Sequence, residues 1–152
     1  MSEHDIFIRQ ANGLAQEAVA AGNHPFGALL VLDGEVILRG QNTVETRRDV
    51  THHAELNLVS EATRRFDPEV LKRVTLYTST EPCAMCAGAI VWSGIRHVVF
   101  GCGAITLGAL INSPFVIPSA EIFSRATPPV RVTGPILEEE GVQIHNDFWR
   151  MV

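Results

Sequence analysis

A chain of 152 residues, 46% hydrophobic and 19% charged, has the size and composition of one ordinary globular domain over 1–152, without a low-complexity block or internal repeat. Twelve basic against seventeen acidic residues give a net charge of −5, the wrong sign for a protein that grips a phosphate backbone, so nucleic acid is a disfavoured partner. No apolar run approaches the roughly 18 uninterrupted residues of a membrane span, and the acidic opening Met1-Ser2-Glu3-His4-Asp5 lacks the basic and apolar regions of a signal peptide, so a cytoplasmic protein without membrane contact is expected.

The first predicted element is a helix over 5–21, where Ile6, Ala11, Leu14, Ala18 and Ala21 recur at a roughly helical period and Gly22-Asn23 supplies the stop. Two apolar runs, 28–32 and 35–39, flank Asp33-Gly34, a strong two-residue hairpin signal. An exposed linker leads to a helix over 53–65, followed by a strand from Val74 to Ser79, a helix over 83–93 and a strand from His97 to Gly101. Val130 to Thr133 reads as a short edge strand and 136–149 as a closing helix. Between them, 104–129 carries Pro114, Pro118, Pro128 and Pro129 and is the least readable stretch, a candidate lid or partner contact. This order predicts an α/β fold: a three-layer α-β-α sandwich on a mixed five-stranded sheet, with the helices over 53–65 and 83–93 on one face. The inner strands are continuous apolar runs, as strands covered on both faces are.

Two clusters carry the chemistry. Thr51-His52-His53-Ala54-Glu55 offers imidazole and carboxylate, and Glu81-Pro82-Cys83-Ala84-Met85-Cys86 offers two thiols. Cysteines three positions apart on a helix lie about 300° around its axis, hence roughly 60° from each other, so both sulfurs can reach one ion. Two thiolates and one imidazole make three zinc ligands; a catalytic zinc site typically keeps three protein ligands plus water, whereas a structural site closes with four. His53 and Glu55 stand roughly 200° apart on a helix and can approach one centre only if it lies off the helix end. A carboxylate so placed can move protons between water and a leaving amine, general acid–base work worth about 10²- to 10⁴-fold. The site therefore reads as hydrolytic. A structural-zinc binding module is the non-enzymatic alternative, although it has no need of Glu55. Cys102, left unpaired between glycines, reads as packing, and three cysteines in all argue against a disulfide framework.

His53-Ala54-Glu55 together with Pro82-Cys83-Ala84-Met85-Cys86 resembles the cytidine-deaminase superfamily of zinc nucleobase deaminases, whose signature has this form. The resemblance runs from His24-Pro25-Phe26-Gly27-Ala28 through Gly40-Gln41-Asn42 and Ala87-Gly88-Ala89-Ile90 to Phe100, where the chain resembles bacterial guanine deaminases and tRNA adenosine deaminases. It weakens from Gly101 and partly returns in Asn146-Asp147-Phe148-Trp149-Arg150-Met151. The resemblance implies one Zn2+ per chain on His53, Cys83 and Cys86, with Glu55 as the catalytic acid/base; His52 is the rival ligand, but only His53 has the carboxylate at the matching offset. It also implies a substrate contact from Asn42 and a homodimer packed through the second zinc helix.

For substrate binding, the peptide N–H of Ala54 suits a ring carbonyl, and Phe26 and Trp149 suit stacking on a base. Trp92 and Phe148 could stack as well, and all four aromatic side chains also suit a core. Gly27 and Gly40 would let backbone pass close to a flat ligand, or merely serve turns. Arg47-Arg48 and Arg64-Arg65 are the best local basic patches. The expected partner is a small nucleobase or nucleoside, guanine first, cytosine second and tRNA adenosine third. Guanine deaminases place an aspartate after the last core strand, whereas 101–120 contains no acidic residue here.

Overall fold

The computed structural model describes residues 1–150; Met151, the last residue of the tail motif, lies outside them. Helix α1 spans Glu3–Ala20, two residues earlier than its apolar period indicates. The cause is a capping box: the Ser2 hydroxyl accepts from the Asp5 N–H, and the Asp5 carboxylate accepts from the Ser2 N–H. Strands β1 (Gly27–Leu32) and β2 (Glu35–Gln41) form the expected hairpin, with Asp33 and Gly34 both at positive φ, 50° and 82°, as the tight turn requires. The linker holds a one-turn helix, α2 (Val44–Arg47), before α3 (Ala54–Arg65) and the short α4 (Pro68–Leu71). Then follow β3 (Thr75–Thr80), α5 (Ala84–Ser93), β4 (His97–Cys102), α6 (Ala104–Ile111), α7 (Ser119–Phe123), β5 (Arg131–Thr133) and α8 (Glu138–Trp149).

The sheet order is β2-β1-β3-β4-β5, antiparallel through β1 and parallel from β3 to β5, so the sheet is mixed and five-stranded as expected. Alternation along each strand divides the core. Ala28, Leu30, Leu76 and Val98 pack with Leu58 of α3 and Ile90 of α5, while Leu29, Val31, Tyr77 and Val99 pack with Phe7, Ile8 and Ala11 of α1. Both zinc-box helices thus share one layer, and α1 and α8 form the other.

The stretch 104–129 holds two helices that its sequence does not announce, α6 and α7. Gly27 and Gly40 make room for helices and not for a ligand: a Cβ on Gly27 would lie 2.5 Å from Ala11 O, and one on Gly40 would lie 2.8 Å from Ala54 O.

Candidate metal centre and active site

β3 and β4 run parallel, and their carboxyl ends open into a crevice, the usual ligand position in an open α/β sheet. β1 is antiparallel to β3, with Ala28 opposite Thr78, so the start of β1 meets the end of β3. The Gly27 N–H donates to Ser79 Oγ at 3.1 Å, which brings Phe26 to the same edge. The chain leaves β3 through Glu81 and Pro82 into Cys83, the N-cap of α5, while His53 is the N-cap of α3. All three ligand candidates therefore lie at helix starts pointing at one place.

Their donor atoms lie within 4.8 Å of one another. His53 Nδ1 is 3.5 Å from Cys83 Sγ and 3.6 Å from Cys86 Sγ. With zinc–sulfur bonds of ~2.3 Å, zinc–nitrogen bonds of ~2.0–2.1 Å and tetrahedral angles, sulfur and nitrogen ligands stand about 3.5–3.6 Å apart. Both nitrogen–sulfur separations match zinc ligation as they stand. The Cys86 thiol hydrogen-bonds to Cys83, which pulls Cys83 down to about 4 and pushes Cys86 up; a bound cation would replace that shared proton and hold both sulfurs as thiolates. His52 points elsewhere, pairing with Asp49 at 3.3 Å and with Thr43 Oγ1 at 3.3 Å.

Glu55, in the first turn of α3, is 5% exposed. Burial, and next the charge on Cys83, push its carboxyl up to about 7. It lines a cavity of about 140 Å³ together with Phe26, His53, Thr80, Cys83 and Ala84. The outer wall comes from Leu107, Gly108 and Ile111 of α6 and from 113–117, the stretch read as a candidate lid.

The other expected substrate contacts are placed differently. Ala54 is fully buried and, like Asn42 and Trp149, is not among the described residues lining the cavity. Asn42 Oδ1 accepts from the Val44 N–H at 3.0 Å and starts α2, while its own N–H donates to Phe26 O at 3.1 Å. Trp149 stacks edge-on against Phe148 and donates from Nε1 to His145 Nδ1 at 3.1 Å.

Glu81 and Thr80 escaped the sequence reading as site residues. Glu81 Oε1 accepts from the Ala104 N–H at 2.8 Å, and Oε2 accepts from the Ser119 N–H at 2.8 Å and the Ser119 hydroxyl at 2.6 Å. One carboxylate thus ties the starts of α6 and α7 to the zinc box, joining the outer wall of the cavity to its floor. Its position directly before Pro82-Cys83 was the available signal, but partners 23 and 38 residues away give no local pattern. Glu81→Gln replaces one acceptor oxygen by a donor and should loosen this wall: faster proteolysis within 104–119 and an unfolding free energy lower by about 1–3 kcal/mol. Wild-type proteolysis and stability would contradict that role.

The family described as "Cytidine and deoxycytidylate deaminase zinc-binding region" matches residues 1–102. A probable cytosine deaminase of Schizosaccharomyces pombe is 40% identical over 98% of this chain and 94% of its own length. A guanine deaminase of Bacillus subtilis is 44% identical, over 64% of this chain and 63% of its own. Among solved structures, a guanine deaminase from Nitrosomonas europaea superposes with a TM-score of 0.81 at 24% identity, over 94% of this chain and 82% of its own, a likeness of fold. Bacterial tRNA-specific adenosine deaminases match as well.

Proposed function

Since this chain belongs to the cytidine and deoxycytidylate deaminase zinc-binding family, and is thereby a zinc-dependent deaminase of the nucleobase or nucleoside type, we propose that its substrate is a free nucleobase, guanine before cytosine. The observation behind this reading is the cavity. At about 140 Å³ it lies well below the roughly 300–1,000 Å³ of pockets for drug-sized ligands, and it suits one heterocycle. Guanine stands first because Pro25-Phe26-Gly27-Ala28 and Gly40-Gln41-Asn42 resemble guanine deaminases, and because the guanine deaminase relative has the higher identity. Cytosine is the second reading because the Schizosaccharomyces pombe relative matches through the α6 wall, over 98% of this chain. The net charge of −5 sets tRNA third.

Zinc, when bound to His53, Cys83 and Cys86, supplies Lewis acidity and a water acidified to a pKa of about 7. Glu55 does the proton work. Its carboxyl, held near 7 by burial, takes one proton from the attacking water and passes it to the ring nitrogen, then takes the proton of the new hydroxyl as the carbonyl forms and passes it to the departing ammonia. The amino-bearing ring carbon gains a C–O bond and loses its C–N bond. Phe26, Leu107 and Ile111 wall the reacting ring with apolar surface, which strengthens every charge interaction inside.

An ammonia-release screen over guanine, cytosine, adenine, their nucleosides and a tRNA anticodon stem-loop tests the substrate directly. Release from free guanine or cytosine is expected, with guanine faster; release from the stem-loop alone would overturn the proposal. We further propose a homodimer through α5, a helix without a charged residue on which Trp92 is 90% exposed. Trp92→Glu should shift sedimentation from dimer to monomer, and a wild-type monomer at micromolar concentration would refute this arrangement.

A further inference from the structure

Thr80 ends β3 on the cavity wall, and its hydroxyl is tied to a histidine that the deamination steps do not use. Thr80 Oγ1 lies 2.7 Å from His145 Nε2, across 65 residues of sequence. His145 is 1% exposed on α8, with the Phe26 ring against it at 5.2 Å between centroids. Its other nitrogen, Nδ1, faces Trp149 Nε1 at 3.1 Å.

The donor inventory of this chain permits one arrangement. Indole Nε1–H can only donate, so His145 Nδ1 must be the bare acceptor. A neutral imidazole with a bare Nδ1 carries its proton on Nε2 and donates it to Thr80 Oγ1. Burial supports the neutral form, since it pushes His145 down to about 4. With one lone pair of Thr80 occupied by His145, the hydroxyl proton remains available for donation, on a residue that lines the cavity. The Thr80 backbone carbonyl is already engaged by the Thr78 hydroxyl at 2.9 Å, which holds the end of the strand in place.

We propose that Trp149 and His145 fix the direction of the Thr80 hydroxyl, making Thr80 a hydrogen-bond donor that selects bases presenting a carbonyl oxygen or an unprotonated ring nitrogen to the end of β3. Thr80 is a specificity-determining residue, and His145 and Trp149 are positioning residues acting through it. The inference deepens the free-base reading and rests on it. It also gives Trp149 a part at the site without placing it against the base.

The test uses the zinc-loaded enzyme with guanine, cytosine and analogues in which one ring nitrogen is replaced by C–H. Thr80→Val keeps the shape and removes the donor; kcat/KM should fall about 2- to 12-fold, the range of a neutral hydrogen bond, while Thr80→Ser should keep most of the activity. For the one analogue that lacks the matching acceptor, Thr80→Val should cost nothing further. Trp149→Phe should lower kcat/KM in the same direction by less. Nitrogen-15 NMR of His145 should give a bare Nδ1 and a protonated Nε2 in the wild type, and a mixture of tautomers in Trp149→Phe. Wild-type kinetics for Thr80→Val in an enzyme that releases ammonia, or a protonated Nδ1 in the wild type, would overturn the proposal. If the wild type released ammonia from no free base, the substrate reading would fail, while the NMR result would still decide the hydrogen-bond relay.

Discussion

Glu55→Gln is expected to keep zinc and the fold and to lower ammonia release about 10²- to 10⁴-fold, the usual weight of general acid–base catalysis. The reason is local. Glu55 lies in the first turn of α3, two residues from His53, buried among the site's own walls. Glutamine fills nearly the same volume and can hydrogen-bond, but it cannot accept a proton from water and return it to the ring. Burial holds the Glu55 carboxyl up near 7, so the wild type can work in both directions near neutrality, a property the amide lacks. Steady-state ammonia release, with zinc measured on the same sample, checks the expectation. Unchanged turnover in a zinc-loaded Glu55→Gln protein would remove Glu55 from the mechanism.

Cys86→Ala should have the second large effect. Cys86 is fully buried in the first turn of α5, and with Cys83 and His53 it completes the only group of three metal-capable side chains clustered in this way among the described residues. Two remaining ligands hold zinc poorly, so metal content by mass spectrometry should fall from one per chain to nearly none, and activity should fall with it. Stability should fall too. Binding to the native state alone adds about 2.7 kcal/mol when free metal is 100 times its Kd, and for a domain of this size about 1 kcal/mol corresponds to a Tm change of roughly 2–4 °C. A melting temperature about 5–10 °C lower than zinc-loaded wild type is therefore expected, and chelated wild type should approach the same value. Full zinc occupancy in Cys86→Ala would show that the ligand set is wrong.

The parts of this molecule readable in its sequence are those whose cause is local. Cys83 and Cys86 share a helix start because they are three apart, and Asp33-Gly34 closes a hairpin because two residues must take positive φ. The α-β-α layering follows from apolar runs whose alternate residues serve different layers, as Leu29 and Leu30 do. Helix α6 was missed because Ala104-Ile105-Thr106-Leu107-Gly108-Ala109-Leu110-Ile111 is apolar nearly all round and shows no helical period; its apolar groups face the cavity, α8 and solvent together. Helix α8 starts two residues late because Ile136 is drawn to Phe100 O and Leu137 takes positive φ, a tertiary constraint without a local signal. Glu81, Thr80 and His145 were hidden for the same reason, since their partners are distant in the chain.

Deamination by this chain depends most on a metal with two sulfur ligands, one imidazole and an open position within reach of Glu55. X-ray absorption at the zinc edge of the active enzyme tests this directly. Two sulfurs at ~2.3 Å and two lighter donors at ~2.0–2.1 Å are expected, with one lighter donor exchanged when a base analogue binds. Three or more sulfurs, or a shell unchanged by every base that is turned over, would contradict it.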